Sequence, residues 1–359
     1  WGITEPKPKE YSFKAYRQLV REAKRRRLKV QMVSSFHQCG GNIGDACYIP
    51  LPEFVRKETD IWYKDAGGKE TQEYISLFAD DVVVGGRTPL QMYSDWFTAF
   101  AAEFAEDLGA PIIEVMVGLG PCGEMRYPAY PLDRWSFPGI GQFQCHDKHA
   151  LESLRGAAQA AGCEDCASPP AAGNYDDEPK DTDFFTNGYS SENGRFFLEW
   201  YSDSLKKHAV NILQHASQAL GKEVKISAKI SGLHWWYDSN SHAAELTAGY
   251  YNTNERNAYL EIANVIRDAG AQVLDFTCLE MRDLEQPAHA RSSPQKLVAQ
   301  VIQAAKEAGL AFAGENALQR YDQRAYEQML SYKELRDMTL KGSFRHEALL
   351  VGGCYEFGG

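Results

Sequence analysis

The chain has 359 residues, 44% hydrophobic and 12% aromatic, enough apolar material for one large core or for two domains. Its formal net charge of −11 argues against a nucleic-acid partner or an anionic membrane surface, and suits neutral substrates better than phosphorylated ones. No run approaches the roughly 18 apolar residues of a membrane span, and no signal-peptide pattern is present.

The chain opens on Trp1 rather than Met, so a fragment is expected. Residues 12–27 put Phe13, Tyr16, Leu19, Val20 and Ala23 on one helical face, with Ser12 as N-cap. "LKVQMVSSFHQ" then reads as a strand ending near His37. Thr88, Pro89 and Gln91 form a capping box with proline at the first helical position. Leu90, Tyr93, Phe97, Phe100, Phe104 and Leu108 follow as a stripe that Gly109 closes. A strand over 111–119 comes next. A helix over 194–220 precedes a strand over 224–235, and a helix over 254–269 precedes a strand over 272–278. Ser293-Pro294 starts a further helix, Gly309 ends it, and "LAFAGEN" follows as a strand. A sixth strand is placed near 348–354.

Repeated helix–strand units with apolar strands imply a parallel sheet covered by helices. A closed α/β (β/α)8 TIM-type barrel is the first expectation and an open doubly wound sheet the second. No GxGxxG or phosphate-loop pattern follows any of these strands, which weakens the second. The whole chain, 1–359, reads as a single domain with long polar segments at 39–87, 121–190 and 236–253. Of eight Cys, only Cys163 and Cys166 form a C-x-x-C, and no second pair completes a zinc site. Reduced thiols are the expected state, with a disulfide at 163/166 as the alternative.

Polar residues recur just past the strand ends, the face on which barrels build active sites. They are His37, Glu124, Lys229 with His234, Thr277, and Glu315 with Asn316. Aromatics crowd the same ends, among them Trp235, Trp236, Tyr127, Tyr130, Tyr250 and Tyr251. Such rings either stack on sugars or are ordinary core; for Trp235 both readings stand. Glu124 and Glu315 each follow an apolar run and a glycine that lets the backbone turn sharply. Paired carboxylates across a cleft are the working parts of glycoside hydrolysis, one protonated and one ionised. The residues alone do not say which is which.

"SFHQCGGNIGD", "GLGPCGEMRYPAYP", "FPGIGQFQC", "SGLHWWYDSNSHAAELTAGYYN", "FTCLEMRD" and "AGENALQRYD" together closely resemble the plant-type beta-amylases, glycoside hydrolase family 14. The resemblance runs from Trp1 to about Tyr326. It implies an inverting exo-hydrolase that releases β-maltose from the non-reducing ends of α-1,4-glucan (starch or maltodextrin), with no metal or organic cofactor. By motif match Glu124 would be the general acid and Glu315 the general base, with carboxyls roughly 6.5–9.5 Å apart; a retaining enzyme would need about 5–5.5 Å. "CGGNIGD" looks like a mobile lid whose Asp45 closes on the sugar, excluding bulk water. His37, Asp45, Lys229 and His234 would bind glucose hydroxyls. Thr277 would hold the water or the product, and Asn316 and Ala317 would contact the sugar beside the base.

The family's acidic residue before its Trp-Trp-Gly segment has no counterpart ahead of Trp1-Gly2. Its eighth-strand pattern and its substrate-binding Arg are not recognised after about residue 327, and Arg345 is not assigned that role. By this resemblance the barrel lacks its first strand and most of its second, the eighth is doubtful, and unpaired edges are expected. A non-catalytic glucan-binding or regulatory homologue is the alternative. Oligomeric state is left open, as is compartment, with cytoplasm and plastid both compatible.

Overall fold

A computed structural model describes residues 1–41, 48–316, 320 and 322–332. The first unit is helix α1 (Lys14–Arg25) followed by strand β1 (Val30–Ser34). Its N-cap is Phe13, not Ser12, and no side chain caps the helix. Packing overrides the local preference: the Phe13 ring meets Trp96, Phe100 and Phe104 edge-on at 5.6–5.9 Å. Meanwhile the Ser12 N–H donates to the Thr4 carbonyl. Phe13, Val20 and Ala23 are buried as expected, but Tyr16 and Leu19 are exposed. β1 pairs only with β4 among the described residues, and its Val33 is also exposed.

The 39–87 segment is not plain loop. It holds a short helix α2 (Glu53–Arg56) and an antiparallel hairpin, β2 (Trp62–Lys64) with β3 (Glu70–Ile75). Asp65 fastens the hairpin turn by accepting from the Lys69 N–H at 2.9 Å. Helix α3 (Pro89–Glu103) begins at the capping box read from the sequence, with Gln91 N–H on Thr88 Oγ1 at 3.2 Å and Thr88 N–H on Gln91 Oε1 at 2.9 Å. Thr88→Ala removes both the cap acceptor and the box. It is expected to cost about 1 kcal/mol, measured as a lower denaturation midpoint; an unchanged midpoint would deny the box any role. The helix ends before Leu108, which lies in the turn that Gly109 (φ +86°) makes into β4 (Ile112–Val117).

The 121–190 segment also contains structure. Helix α4 (Lys148–Ala161) is capped by Asp147 and closed by Gly162 in the left-handed region, and α5 (Asp183–Thr186) starts at Thr182. Cys163 and Cys166 sit on one helical turn with Cα atoms 5.3 Å apart, within bridging range, and form a disulfide rather than the expected thiols. Helix α6 (Glu192–Leu220), capped by Ser191, leads to β5 (Lys225–Ile230). Then come α7 (Ala243–Thr247), α8 (Ala258–Asp268), β6 (Val273–Phe276), α9 (Pro294–Ala308), β7 (Ala311–Gly314) and α10 (Gln323–Ser331).

The central sheet is parallel throughout, in the order β1-β4-β5-β6-β7, so each strand lies beside the next of its kind along the chain. That is barrel order, not the reversal of a doubly wound sheet. All five legible helix–strand units are present; the strand placed near 348–354 lies outside the described residues. Helices pack outside the sheet, α3 on α6 and α8 on α9. In register, Lys229 on β5 faces Asp275 on β6, which faces Ala313 on β7. Side chains alternate along a strand, so Lys229 and Asp275 point to the same face.

Candidate functional site at the strand ends

Glu124 is delivered by a single tight turn, Pro121–Gly123, just past β4. Gly123 takes φ +75°, as the turn requires. Gly120 serves a different need: a Cβ there would lie 2.5 Å from the Glu124 carbonyl oxygen and 2.7 Å from that of Arg126. The loop can fold this tightly only around glycine. Glu124 is 8% exposed, and Arg126 Nε donates to its Oε2 at 2.7 Å. The Met125 N–H donates to the Lys229 carbonyl at 2.9 Å, which ties the turn to β5.

Glu315 follows β7 and is held to β6 by its N–H on the Phe276 carbonyl at 2.9 Å. The glycine before it does not act through the left-handed region. A Cβ on Gly314 would meet Leu279 Cδ2 at 2.4 Å, so close packing is what demands glycine there. The Glu315 carboxylate forms an ion pair with Lys229 Nζ.

Lys229 joins the two glutamates. Burial alone would lower its pKa, but the charges of Glu315 and Glu124, with a smaller share from Asp275, outweigh it and hold the ammonium above the usual lysine range. Lys229 therefore feels both carboxylates.

His37 belongs to the same group. A Cβ on Gly123 would sit 3.5 Å from its Cε1. Burial, then the positive charges of Lys229, the N-terminus and Arg126, push its pKa down to about 3. It is a neutral imidazole near pH 7, with Nδ1 lacking a hydrogen-bond partner among the described residues. Thr277, 5% exposed, stands at the end of β6 and accepts the Gly232 N–H on Oγ1 at 2.7 Å.

His234 is set apart. It shares a 2.6 Å hydrogen bond with Ser292 Oγ, its ring lies beside Phe137 and Trp235, and burial lowers its pKa to about 4. Asn316 is half-buried beside Glu315. Asp45 and Ala317 lie outside the described residues.

The aromatics resolve toward packing. Trp235 sits among Tyr130, Trp135 and Phe137 and donates to the Gly139 carbonyl at 3.0 Å; Trp236 donates to the Pro138 carbonyl. Tyr127 and Tyr250 are fully buried. Tyr130 and Tyr251 are nearly so, the latter beneath Arg256 at 4.3 Å.

Three contributors escaped the sequence reading. Arg126 stands inside the quoted "GEMRYP" and pairs with Glu124. Glu73 on β3 accepts the Cys122 N–H at 2.9 Å, while its own carbonyl accepts the Gln38 N–H at 2.7 Å. The hairpin thereby braces the loops after β1 and β4 together. Asp275, 4% exposed, lies beside Lys229. Among the described residues, no group of three His, Cys, Asp or Glu is placed to hold a metal ion, and no helix is long and apolar enough to cross a membrane.

The family model for Glycosyl hydrolase family 14 matches residues 1–345, beyond the last motif recognised in the sequence. A beta-amylase of Medicago sativa is 48% identical over 341 residues, covering 92% of this chain and 68% of its own length. The chloroplastic beta-amylase 1 of Arabidopsis thaliana is 49% identical over 349 residues, covering 93% of this chain and 60% of its own. The chain thus spans about two thirds of the length of these relatives. The crystal structure of the catalytic domain of a Paenibacillus polymyxa beta-amylase superposes with a TM-score of 0.78 at 31% identity, covering 94% of this chain and 81% of that one.

Proposed function

This chain belongs to glycosyl hydrolase family 14, and from that premise we propose that it is an inverting exo-glycosidase releasing β-maltose from the non-reducing ends of α-1,4-glucan. Residues 1–359 are read as one catalytic domain. The observation that supports this reading is Lys229, ion-paired to Glu315 and held charged by Glu124 as well. Two carboxyls that act on one buried ammonium lie near each other, as acid and base about a single scissile bond must.

Glu124 is the general acid. It gives its proton to the glycosidic oxygen as the C1–O bond breaks. Glu315 is the general base. It takes a proton from a water whose oxygen bonds to C1 from the opposite face, so the new hydroxyl is β. In the free protein Arg126 Nε donates to Oε2 of Glu124, so the proton that Glu124 gives is carried on Oε1 while Arg126 keeps the carboxyl in place. Lys229 orients Glu315 and neutralises it as substrate displaces water. His37, being neutral, both donates to and accepts from sugar hydroxyls. Thr277 has its oxygen engaged by Gly232, and its O–H is proposed to donate to water or product. His234, Asn316, Asp45 and Ala317 are proposed sugar contacts, Asp45 from a closing lid.

The test is the anomer and size of the first product from maltodextrin, followed by proton NMR before mutarotation. β-Maltose from chain ends is expected. α-Maltose, random internal cuts, or maltose binding without turnover would overturn the proposal.

A further inference from the structure

Asp275 is a carboxyl inside the sheet. It is 4% exposed, and its Oδ1 has no hydrogen-bond partner among the described residues. Register places it directly beside Lys229, whose ammonium is already committed to Glu315. An ionised carboxylate with an unpaired buried oxygen is costly, and a neutral acid much less so. Three elements send charge toward it: β5 with Lys229, the end of β7 with Glu315, and β4 with Glu114. Glu114 is turned partly away, since its Oε1 accepts Gln31 Nε2 at 2.7 Å. Burial, then the charges of Glu315 and Glu114, outweigh Lys229 and the Phe276 N–H, and raise the Asp275 pKa to about 7.

Resting on the function proposed above, we propose that Asp275 is a positioning residue of the site: as a neutral acid it leaves Lys229 wholly to Glu315, and as an anion it divides Lys229 between two carboxylates and disables the base. No bond to substrate is involved; the residue acts through Lys229. The consequence is an alkaline limit on turnover that neither glutamate sets by itself.

The linkage has a definite sign. Between the unfolded aspartate value of about 3.9 and the folded value of about 7, the native state holds a proton that the unfolded chain has lost. Stability contributed by this group therefore falls as pH rises through that window and is level above it.

The experiment compares wild type with Asp275→Asn, which is nearly isosteric and cannot ionise. Two quantities are read: the melting temperature from pH 4 to 8, and the pH profile of kcat on maltodextrin. The melting advantage of the variant over wild type is expected to grow from pH 4 to 7 and then stop. The alkaline limb of kcat is expected to move up by about one pH unit, the acid limb staying in place. Asp275→Ser, smaller but also uncharged, should move the limb the same way. A melting difference that does not change with pH, or an alkaline limb that stays or moves down in both variants, overturns the proposal. Wild type without activity on glucan would instead overturn the function proposed above, and the melting series would still decide whether Asp275 holds its proton.

Discussion

Glu315→Gln lowers kcat on maltodextrin by about 10²–10⁴-fold or more, while maltose still binds with near-normal affinity. The amide keeps the shape of the side chain but accepts no proton from water. Lys229 loses a charged partner, yet a hydrogen bond to the amide oxygen can replace the ion pair seen in the structure. The effect should therefore fall on kcat rather than on KM, the sign of an interaction made in the transition state. Glu124→Gln is expected to behave alike on starch. Near-normal turnover by either variant would remove the role assigned to that residue.

Lys229→Met carries the second large effect. Lys229 is 8% exposed and, among the described residues, is the cation paired to Glu315. Its removal leaves a recessed carboxylate without a counter-charge, and breaking such a pair costs up to about 3–5 kcal/mol. The variant should unfold at a lower denaturant midpoint and lose nearly all turnover. The double variant Lys229→Met/Glu315→Gln separates pairing from bulk packing. It should be no less stable than Lys229→Met alone, because the stranded charge is gone. Strictly additive losses would show that the pair is not the source of the effect.

Much of this site is visible in the residues before any fold is known. A carboxylate in a bed of Gly and Pro has no packing reason to be there, so Glu124 declares itself, and Glu315 does so as an acid set one glycine past an apolar run. The helix–strand units are legible because their stripes are long and their ends are marked, as at Thr88–Gln91 and at Gly309. The hairpin of β2 and β3 is not, since a three-residue strand has too few positions to show alternation. Helix α4 carried a signal, Asp147 ahead of it and Gly162 behind, but lay inside a segment dominated by turn residues.

Arg126 and Asp275 fail for another reason. A lone Asp in "QVLDFTC" is conspicuous, but a sequence does not say which neighbour a strand residue faces. That is fixed by register, and register places Asp275 beside Lys229. The cysteines teach the same lesson: the C-x-x-C spacing allowed either state, and the turn that brings Cys163 to Cys166 decides it. Ser12 lost its role as cap because Phe13 gained more from three aromatic neighbours than the helix end would from one hydroxyl.

The division of labour between the two glutamates is tested most directly with α-maltosyl fluoride, whose leaving group departs without a proton while water must still be activated. The account predicts that Glu124→Gln, nearly inert on maltodextrin, hydrolyses the fluoride at close to the wild-type rate, and that Glu315→Gln remains slow on both. A Glu124 variant equally slow on the fluoride, or a Glu315 variant rescued by it, would contradict the assignment.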